Sequence, residues 1–438
     1  MMKRSTFEAL ALYFLEIGAL FAALFFVKSQ TNFPAVAGAL TVALIPILAF
    51  YGHRLEKNFR VPYFIWTIGL GYLFKDYLAP LTSSLSLMAF TVTILGVLII
   101  FGGGLEIKLA SFKKLLLPII SLSVLGAVLT ALLMSLGLLG AKIWLGLPLT
   151  VGTIGLLGAM LCSTDPAAIV PVLKRLKLKN KNDATIAISE SAVNDVVGTI
   201  ITAIFAGLVI TSTGVQSLGE LYRHLFSLAV GLEFIKEIAI GVTIGYLSYS
   251  LLKLWKSAGV VSTASFPFFI GVALTAYTLS SLWGGSGYLA AFITGLFFEV
   301  GRDFKDIEHL FVSLTDGFVK PAIFVILGAL ITPAFFKFAG LGIALSLFFM
   351  FVVRPIVVFI SLFFWSGKNK PFSFRDLLFL DVVRETGVIP AVLLVAYSSK
   401  LPDGSAAFAI GSWVILSSLI ILPIITEPWV KKMKLASS

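Results

Sequence analysis

The stretch that decides the fold is "SESAVNDVVG", which runs from Ser189 to Gly198. It carries two carboxylates, Glu190 and Asp195, and the amide of Asn194, inside a run of residues apolar enough to cross a bilayer. A charged side chain at the centre of a bilayer costs roughly 3 kcal/mol or more. Charges kept at that cost indicate a function that needs them there.

The composition of the whole chain places this stretch in a membrane protein. Of the 438 residues, 58% are hydrophobic and 13% are charged, whereas about 25% of the residues of an ordinary soluble domain are charged. The apolar runs last about twenty residues and lack the alternation of a barrel strand, so they predict α-helices. The single cysteine, Cys162, allows no disulfide within the chain, and no Cys/His pattern indicates a metal site. The fold class that follows is an all-α polytopic membrane protein.

We predict about fourteen transmembrane helices from runs of membrane-crossing length. Their approximate limits are 7–27, 33–51, 61–79, 88–107, 115–138, 147–173, 184–210, 237–254, 262–283, 285–300, 307–332, 338–366, 376–398 and 404–428.

The basic residues predict the orientation of these spans. If the N-terminus is cytoplasmic, the inside loops hold about 23 of the 33 Lys and Arg residues, and the outer loops hold about seven. Short cytoplasmic loops are enriched in Lys and Arg. Both termini are therefore expected in the cytoplasm of a multi-pass protein of the cell membrane. The net charge of +11 is explained by this orientation, so the expected partner is lipid and not nucleic acid.

The order of the spans predicts two inverted repeats of six helices each. The longest outer connection, 211–236, leaves spans two to seven before it, and spans nine to fourteen follow span eight. Six helices that start from opposite sides of the membrane are what an inverted repeat requires. A faint internal match agrees, since "VPYFIWTIGLGYLF" (61–74) in span three resembles "SGYLAAFITGLFF" (286–298) in span ten.

Ionisable and amide side chains collect at one depth of the predicted bilayer. At a rise of about 1.5 Å per residue, Asp165 and Asp195 both lie near the middle of a hydrocarbon core that is about 30 Å thick. The full set at this depth is Asp165, Glu190, Asn194, Asp195, Lys320, Arg354, Arg384 and Glu385. Each one alone is compatible with a structural salt bridge, but the set at one depth indicates an ion or proton path.

Two corresponding spans are predicted to break at the same depth. In span six Pro166 follows Asp165, and in span thirteen "RETGVIP" carries Gly387 and Pro390. Proline removes a helical N–H and clashes with the preceding turn. Unwound backbone at membrane depth is tolerated where it lines a site, and it offers carbonyl oxygens to cations.

A cation site is predicted where span seven meets the first break. Ser191 and Asp195 are four residues apart and therefore share a face of their helix. Together with the backbone around Thr164 and Asp165, they supply the hard oxygen ligands that suit a small monovalent cation. The same carboxylate can hold a proton instead, and a site that holds either ion is the minimum for exchange.

The longest motif, "STDPAAIVPVLKRLKLKNKNDATIAISESAVNDVVGTII" (163–201), resembles the monovalent cation:proton antiporter superfamily. "FGGGLEIKLASFKK" (101–114) is similar to the family's Gly-Leu-Glu helix end. The Asn194–Asp195 pair places the chain nearest the NhaP-like branch of Na⁺/H⁺ exchangers, which is usually electroneutral. The resemblance covers most of the chain.

The resemblance implies a secondary active antiporter, not an enzyme, that needs no cofactor and forms a homodimer. Its two crossed discontinuous helices belong to an ion-transporting core, about 88–210 and 307–428. This core moves in an elevator-type cycle against scaffold and dimerisation helices at about 7–79 and 237–300. The implied ion and proton site is Asp195 with Asp165, Asn194, Ser191 and Thr164, and Na⁺ would lie on Asp195, Asp165, Ser191 and Thr164. Glu190 and Arg354 would form a structural ion pair. Arg384, Glu385, Lys320 and Glu106 are further candidates for accessory residues, and the family pattern assigns no role to Glu385 or Lys320.

Other classes of membrane protein fit the sequence less well. An intramembrane aspartyl protease also uses two aspartates, but it predicts neither fourteen spans nor Arg and Lys at the midplane. A channel predicts a continuous polar stripe, which the sequence lacks. The strongest alternative is a Na⁺-coupled organic-anion symporter of the same fold, in which Arg384 would contact the anion. Na⁺, Li⁺ and K⁺ are not separated, because all three prefer similar oxygen ligands.

Overall fold

The computed structural model describes residues 15–22, 24–25, 34–59, 61–164, 181–211, 215, 217–257, 266–298, 305–367, 370–382 and 385–432. Within these ranges the protein is helical and contains no β-strand, and Ser366 and Phe372 form an isolated bridge. The predicted all-α class is therefore confirmed for the described part of the chain.

Residues 15–22 and 24–25 are helical, and the helices numbered here follow from Pro34 onward in the described residues. The first ten are α1 (Pro34–Phe59), α2 (Tyr63–Leu73), α3 (Lys75–Thr82), α4 (Leu85–Glu106), α5 (Leu109–Lys114), α6 (Leu116–Ile120), α7 (Gly126–Leu145), α8 (Val151–Met160), α9 (Lys181–Thr211) and α10 (Leu218–Leu225). The next ten are α11 (Leu228–Ser257), α12 (Phe266–Leu282), α13 (Gly287–Phe297), α14 (Lys305–Leu314), α15 (Lys320–Ala329), α16 (Ala339–Phe348), α17 (Arg354–Leu362), α18 (Phe374–Val382), α19 (Val388–Ser398) and α20 (Gly404–Lys432). Short 3₁₀ turns cover Pro333–Phe338 and Phe363–Trp365.

Several of these stretches are long and apolar enough to cross a membrane. Among the described residues there are seven, namely Gly38–Phe59, Leu85–Glu106, Leu116–Leu145, Thr185–Ile210, His309–Ala329, Pro333–Trp365 and Gly404–Thr426. Shorter apolar helices add Tyr63–Leu73, Val151–Met160, Phe266–Leu282, Gly287–Phe297 and Val388–Ser398. The chain is thus a multi-pass membrane protein. The count of fourteen and the inverted repeats stay predictions, and most of span one lies outside the described residues.

The chain packs as two units. The first consists of Met1–Val92 with Ser313–Thr332, and the second of Thr93–Val312 with Pro333–Ser438. The scaffold and core limits expected from the sequence stay a prediction.

In the first unit, glycine allows α2 and α15 to cross at backbone contact. A Cβ on Gly71 would overlap the carbonyl oxygen of Val325, and a Cβ on Gly328 would overlap that of Ile68. Small residues at such a crossing let two helix backbones approach closely within a membrane.

In the second unit, α4 and α13 cross in the same reciprocal way. A Cβ on Gly104 would overlap the carbonyl oxygen of Phe292, and one on Gly295 would overlap that of Phe101. Helices α2 and α15 belong to the predicted spans three and eleven, and helices α4 and α13 belong to spans four and ten. An inverted repeat that relates span three to span ten and span four to span eleven would exchange these two crossings, and the repeat itself stays a prediction.

Wide π-helical turns precede two of the membrane cations. The turn Thr315–Val319 leads into Lys320 and Pro321, and Phe349–Val353 leads into Arg354 and Pro355. A proline ring clashes with the carbonyl of the residue four positions before it and leaves that carbonyl without its usual donor. A turn with one extra residue relieves the clash, and such turns are frequent at functional sites. A third π turn, Ser121–Leu125, lies between α6 and α7.

Candidate functional site

The first helix break lies at the end of α8. The hydroxyl of Thr150 accepts a hydrogen bond from the backbone N–H of Thr153 at the start of this helix. The helix ends at Met160, and the backbone from Cys162 to Thr164 is not helical. Asp165, Pro166 and the rest of span six lie outside the described residues. The break therefore begins six residues before the proline that predicted it.

The unwound segment lies on the face of α9 that carries Asp195. The hydroxyl of Ser163 donates a hydrogen bond to Oδ1 of Asp195. The hydroxyl of Ser191 donates to the backbone carbonyl of Thr164, at 2.9 Å. Gly198 leaves room for this approach, because a Cβ there would lie 3.0 Å from the Cβ of Ser163. The structure thus places Asp195, Ser191 and Thr164 near one another, together with Ser163, which the sequence pattern did not single out. Their role as an ion site stays a prediction.

Asn194 ties the unwound segment to Glu190. Its side-chain amide donates to the hydroxyl of Thr164 at 3.1 Å and to Oε1 of Glu190 at 3.2 Å. Glu190 and Asn194 are fully buried, whereas Asp195 keeps 7% of its surface exposed. Asn194 therefore completes the network without adding a charge.

The π turn Ser121–Leu125 supports the helices that carry Glu190 and Arg354. Ser123 donates to the backbone carbonyl of Glu190 at 3.1 Å, and Ser121 donates to that of Ser361 in α17 at 2.7 Å. The first residue of α17 is Arg354, which is 1% exposed. The turn Ser121–Leu125 is therefore hydrogen-bonded to both α9, which carries Glu190, and α17, which carries Arg354. The pairing of Glu190 with Arg354 stays a prediction.

Arg354 also acts on a carboxyl group that the sequence analysis omitted. The guanidinium interacts electrostatically with Asp381, near the end of α18. Asp381 lies five residues into the predicted span thirteen, about 8 Å at a rise of about 1.5 Å per residue. This is shallower than the depth of the other charges, so the depth argument passes over it.

The second helix break separates α18 from α19. Helix α18 ends at Val382 and α19 begins at Val388, and both Glu385 and Thr386 between them are fully buried. The hydroxyl of Ser418 in α20 accepts a hydrogen bond from the Thr386 N–H at 3.2 Å and lies 2.6 Å from the Thr386 hydroxyl. Arg384 lies outside the described residues.

A second hydroxyl of α20 holds the end of α18. Thr426 donates to the carbonyl of Val382 at 2.9 Å, as well as to Leu422 in its own helix. In the described part of this break, the N–H of Thr386 and the carbonyl of Val382 are therefore satisfied by neutral side chains from a neighbouring helix.

The remaining accessory residues lie elsewhere along the chain. Lys320 belongs to the first packing unit, and its ammonium group lies 2.8 Å from Oδ1 of Asp316. The backbone carbonyl of Asp316 also contacts Nε2 of His53 at 3.0 Å. Glu106 is the exposed last residue of α4.

Comparisons with known proteins agree on a family. The model of the transmembrane sodium/hydrogen exchanger family matches residues 37–432. The K⁺/H⁺ antiporter NhaP2 of Shewanella sp. strain MR-4 is 31% identical over 365 residues, which cover 80% of this chain and 57% of that protein. The Na⁺/H⁺ antiporter 1 of Methanocaldococcus jannaschii is 25% identical over 379 residues and 83% of either chain.

A solved structure shares the fold. The sodium proton antiporter MjNhaP1 from M. jannaschii at pH 8 superposes with a TM-score of 0.70, at 23% identity, over 92% of this chain and 99% of that one. The chain spans 57% of the length of the NhaP2 relative, which is therefore the longer protein.

Proposed function

This chain belongs to the transmembrane sodium/hydrogen exchanger family, and from that premise we propose that it exchanges a monovalent cation for protons across the membrane. The observation that carries the proposal is the contact between Ser163 and Asp195. It sets an intramembrane carboxylate against an unwound backbone segment, which is where transporters of this kind bind ions.

The proposed ligands are all oxygen atoms. Asp195 supplies a carboxylate, Ser163 and Ser191 supply hydroxyls, and Thr164 supplies a carbonyl, with Asp165 as a further ligand outside the described residues. Oxygen ligands of this kind suit a hard cation. A cation and a proton would compete for Asp195, because a protonated carboxyl no longer offers a negative charge to the cation. We propose that the core carries the bound ion across in an elevator-type movement.

We propose Na⁺ as the transported cation and a one-for-one exchange. Asn194 is a neutral amide, and Glu190 is assigned to an ion pair with Arg354, so Asp195 alone exchanges its proton. One carboxyl group releases one proton for each monovalent cation that it accepts, and no net charge then crosses. The protein is further proposed to act in pH homeostasis, as a homodimer in the cell membrane with both termini in the cytoplasm.

The substitution Asp195→Asn tests the site. We expect it to abolish proton flux in proteoliposomes on addition of Na⁺, while the protein still inserts and folds. A pH-sensitive dye reports the flux, and Asp76→Asn serves as the matched control, because Asp76 is an exposed acid in the first turn of α3. Wild-type rates in Asp195→Asn would overturn the assignment. Flux with K⁺ and none with Na⁺ would overturn the choice of cation but not the exchange.

Membrane voltage tests the stoichiometry. The potential is clamped with K⁺ and valinomycin, and the Na⁺ gradient that just stops proton flux is found at each potential. A net charge moved per cycle is worth about 2.3 kcal/mol per 100 mV, so an electrogenic exchanger shifts this null point strongly. We expect no shift. A shift would show that a second group carries protons, and Glu385 is the first residue to test.

The organic-anion symporter receives no support from the relatives described above, which are K⁺/H⁺ and Na⁺/H⁺ antiporters. Flux without any organic solute in the proteoliposome experiment would exclude it.

A further inference from the structure

Two buried carboxyl groups meet outside the site around Asp195. Asp183 is the third residue of α9 and is 2% exposed, and Asp376 is the third residue of α18 and is 8% exposed. Their side chains lie within hydrogen-bonding reach of each other, and the two helices pack together. The two helices are the ones that lead to Asp195 and to the second break.

A hydrogen bond between two carboxyl groups requires a proton. An ionised carboxylate is only an acceptor, so one member of the pair must keep its O–H group. The other oxygen of Asp183, Oδ1, has no hydrogen-bond donor in the part of the chain that the structure describes. A buried carboxylate oxygen without a donor is costly, whereas the oxygen of a neutral carboxyl group is far less so.

The surroundings indicate which acid keeps the proton. Oδ2 of Asp376 accepts a hydrogen bond from the N–H of Ser373 at 2.7 Å, and the Ser373 hydroxyl accepts one from the N–H of Asp376 at 3.3 Å. This reciprocal cap at the helix N-terminus uses one oxygen of Asp376 as an acceptor. Burial first, and then the neighbouring Asp376, raise the pKa of Asp183 from its ordinary 3.8 to about 8.

Few other charges bear on Asp183. Among the described residues, Asp376 is the charged group that acts on it, and Asp376 comes from α18, which also carries Arg375 and Asp381. Of the other helices packed against α9, α5 carries two cations, Lys113 and Lys114, in its last turn. The remaining titratable side chains on the helices packed against α9 are Lys142, Glu220, Arg223, His224, Tyr222, Tyr288 and Tyr397.

We propose that Asp183 and Asp376 share one proton, and that this second proton-binding site joins the start of α9 to the start of α18 only while the proton is bound. Loss of the proton leaves two adjacent negative charges, which repel each other. Asp195 lies twelve residues further along α9, about 18 Å at a rise of about 1.5 Å per residue, so this proton is distinct from the one proposed for transport. Proton sharing does not depend on the proposed antiport, whereas its effect on the pH dependence of transport does.

Infrared spectroscopy tests the shared proton directly. We expect the purified full-length protein in lipid to lose the band of a protonated carboxyl group with a midpoint near pH 8. Asp183→Asn should lack this component. Asp376→Asn should keep it with a midpoint at lower pH, because burial still raises the pKa of Asp183 but the neighbouring carboxylate is gone. Asp195→Asn and Asp76→Asn should leave it unchanged. If the component persists in Asp183→Asn, keeps the same midpoint in Asp376→Asn, or is missing from the wild type, the proposal is wrong. The Asp195→Asn sample separates this outcome from failure of the proposed antiport.

Thermal melting gives a second, independent readout. The unfolded chain releases the Asp183 proton near pH 4 and the folded chain near pH 8, so stability falls as the pH rises through that window and is constant above it. We expect the wild-type melting temperature to fall relative to that of Asp183→Asn across this range, because the amide still donates to Asp376. Parallel pH profiles for the two proteins would overturn the proposal, whatever the transport assay shows.

Discussion

The two helix breaks of the second packing unit are satisfied in different ways. At the first break, Ser163 and Thr164 contact Asp195, Ser191 and Asn194, a carboxylate and polar groups of one long helix. At the second break, the partners are the neutral hydroxyls that α20 contributes. Unwound backbone in a membrane must find hydrogen bonds within the protein.

The difference separates a chemical role from a structural one. A carboxylate at the first break can change its charge, and any bound cation would alter the hydrogen bonds around it. A hydroxyl at the second break cannot change its charge in the accessible pH range, so the hydrogen bonds from α20 do not depend on the ion that is bound. On this view, substitutions at the first break should change transport, and those of the α20 hydroxyls at the second break should change stability. Glu385 is the titratable side chain described at the second break, and its role in transport is tested separately.

The largest effect is expected from the charges that flank the first break. Glu190→Gln or Arg354→Gln should each lower the free energy of unfolding by about 3–5 kcal/mol, since each leaves a buried charge without its partner. The double variant should recover part of the loss. Thermal melting of the four proteins forms the cycle, and simple additivity would contradict the predicted pair. The same cycle with Asp381→Asn in place of Glu190→Gln shows whether Asp381 also pairs with the guanidinium of Arg354.

Ser163 is expected to give the next largest effect, and on transport. Ser163→Ala removes a hydrogen bond to a charged group, worth about 1.5–3 kcal/mol, which corresponds to a change of about ten- to a hundredfold in the apparent affinity for the cation. Initial rates of proton flux against Na⁺ concentration measure it. Ser163→Thr keeps the hydroxyl and should retain most of the affinity. If Ser163→Ala left the cation affinity unchanged, the hydroxyl at the first break would be structural, like those at the second break.

Ser418→Ala is the matched change at the second break. It leaves the buried N–H of Thr386 without its acceptor, which should lower stability by about 1–2 kcal/mol. The apparent cation affinity should not change. A loss of affinity at unchanged melting temperature would reverse the roles assigned to the two breaks.

The smallest effect is expected from Thr426→Val, which has nearly the same shape but no hydroxyl. The carbonyl of Val382 then loses one donor, for a cost of about 0.5–1.5 kcal/mol. Melting curves of this variant and of Thr426→Ser, which keeps the donor, should differ by that amount. Identical curves would show that α20 does not hold this end of α18.

Charged residues were predictable from the sequence because the membrane makes them conspicuous. Asp195, Glu190 and Arg354 stand out in apolar runs, and their depth follows from helical rise alone. The break in span thirteen was also predictable, since Gly387 and Pro390 both oppose a continuous helix. The resemblance to a known family added the roles of individual residues, which spacing does not supply.

Hydroxyl groups were not predictable in the same way. Ser135 and Thr294 donate to the carbonyls four residues before them in their own helices, at 2.7 Å each. Nothing in the sequence distinguishes these from Ser163 or Ser418, which donate to or accept from other segments. The start of the first break was not predictable either. Pro166 shows only that the helix cannot continue there, whereas the helix has already ended at Met160.

The π turns before Lys320 and Arg354 bear on how the length of this chain can change. A π turn holds one residue more than an α-helical turn needs, and each α-helical residue adds about 100° of rotation. Because the wide turn absorbs this extra residue, deleting a single residue from Phe349–Val353 would leave a regular helix with Arg354 in nearly the same direction, whereas a deletion in a regular turn would swing the residues after it by about 100°. An amino-acid replacement in the turn would leave the direction of the guanidinium nearly intact. These two short segments are therefore places where the chain should tolerate the loss of one residue during evolution without redirecting the cation that follows.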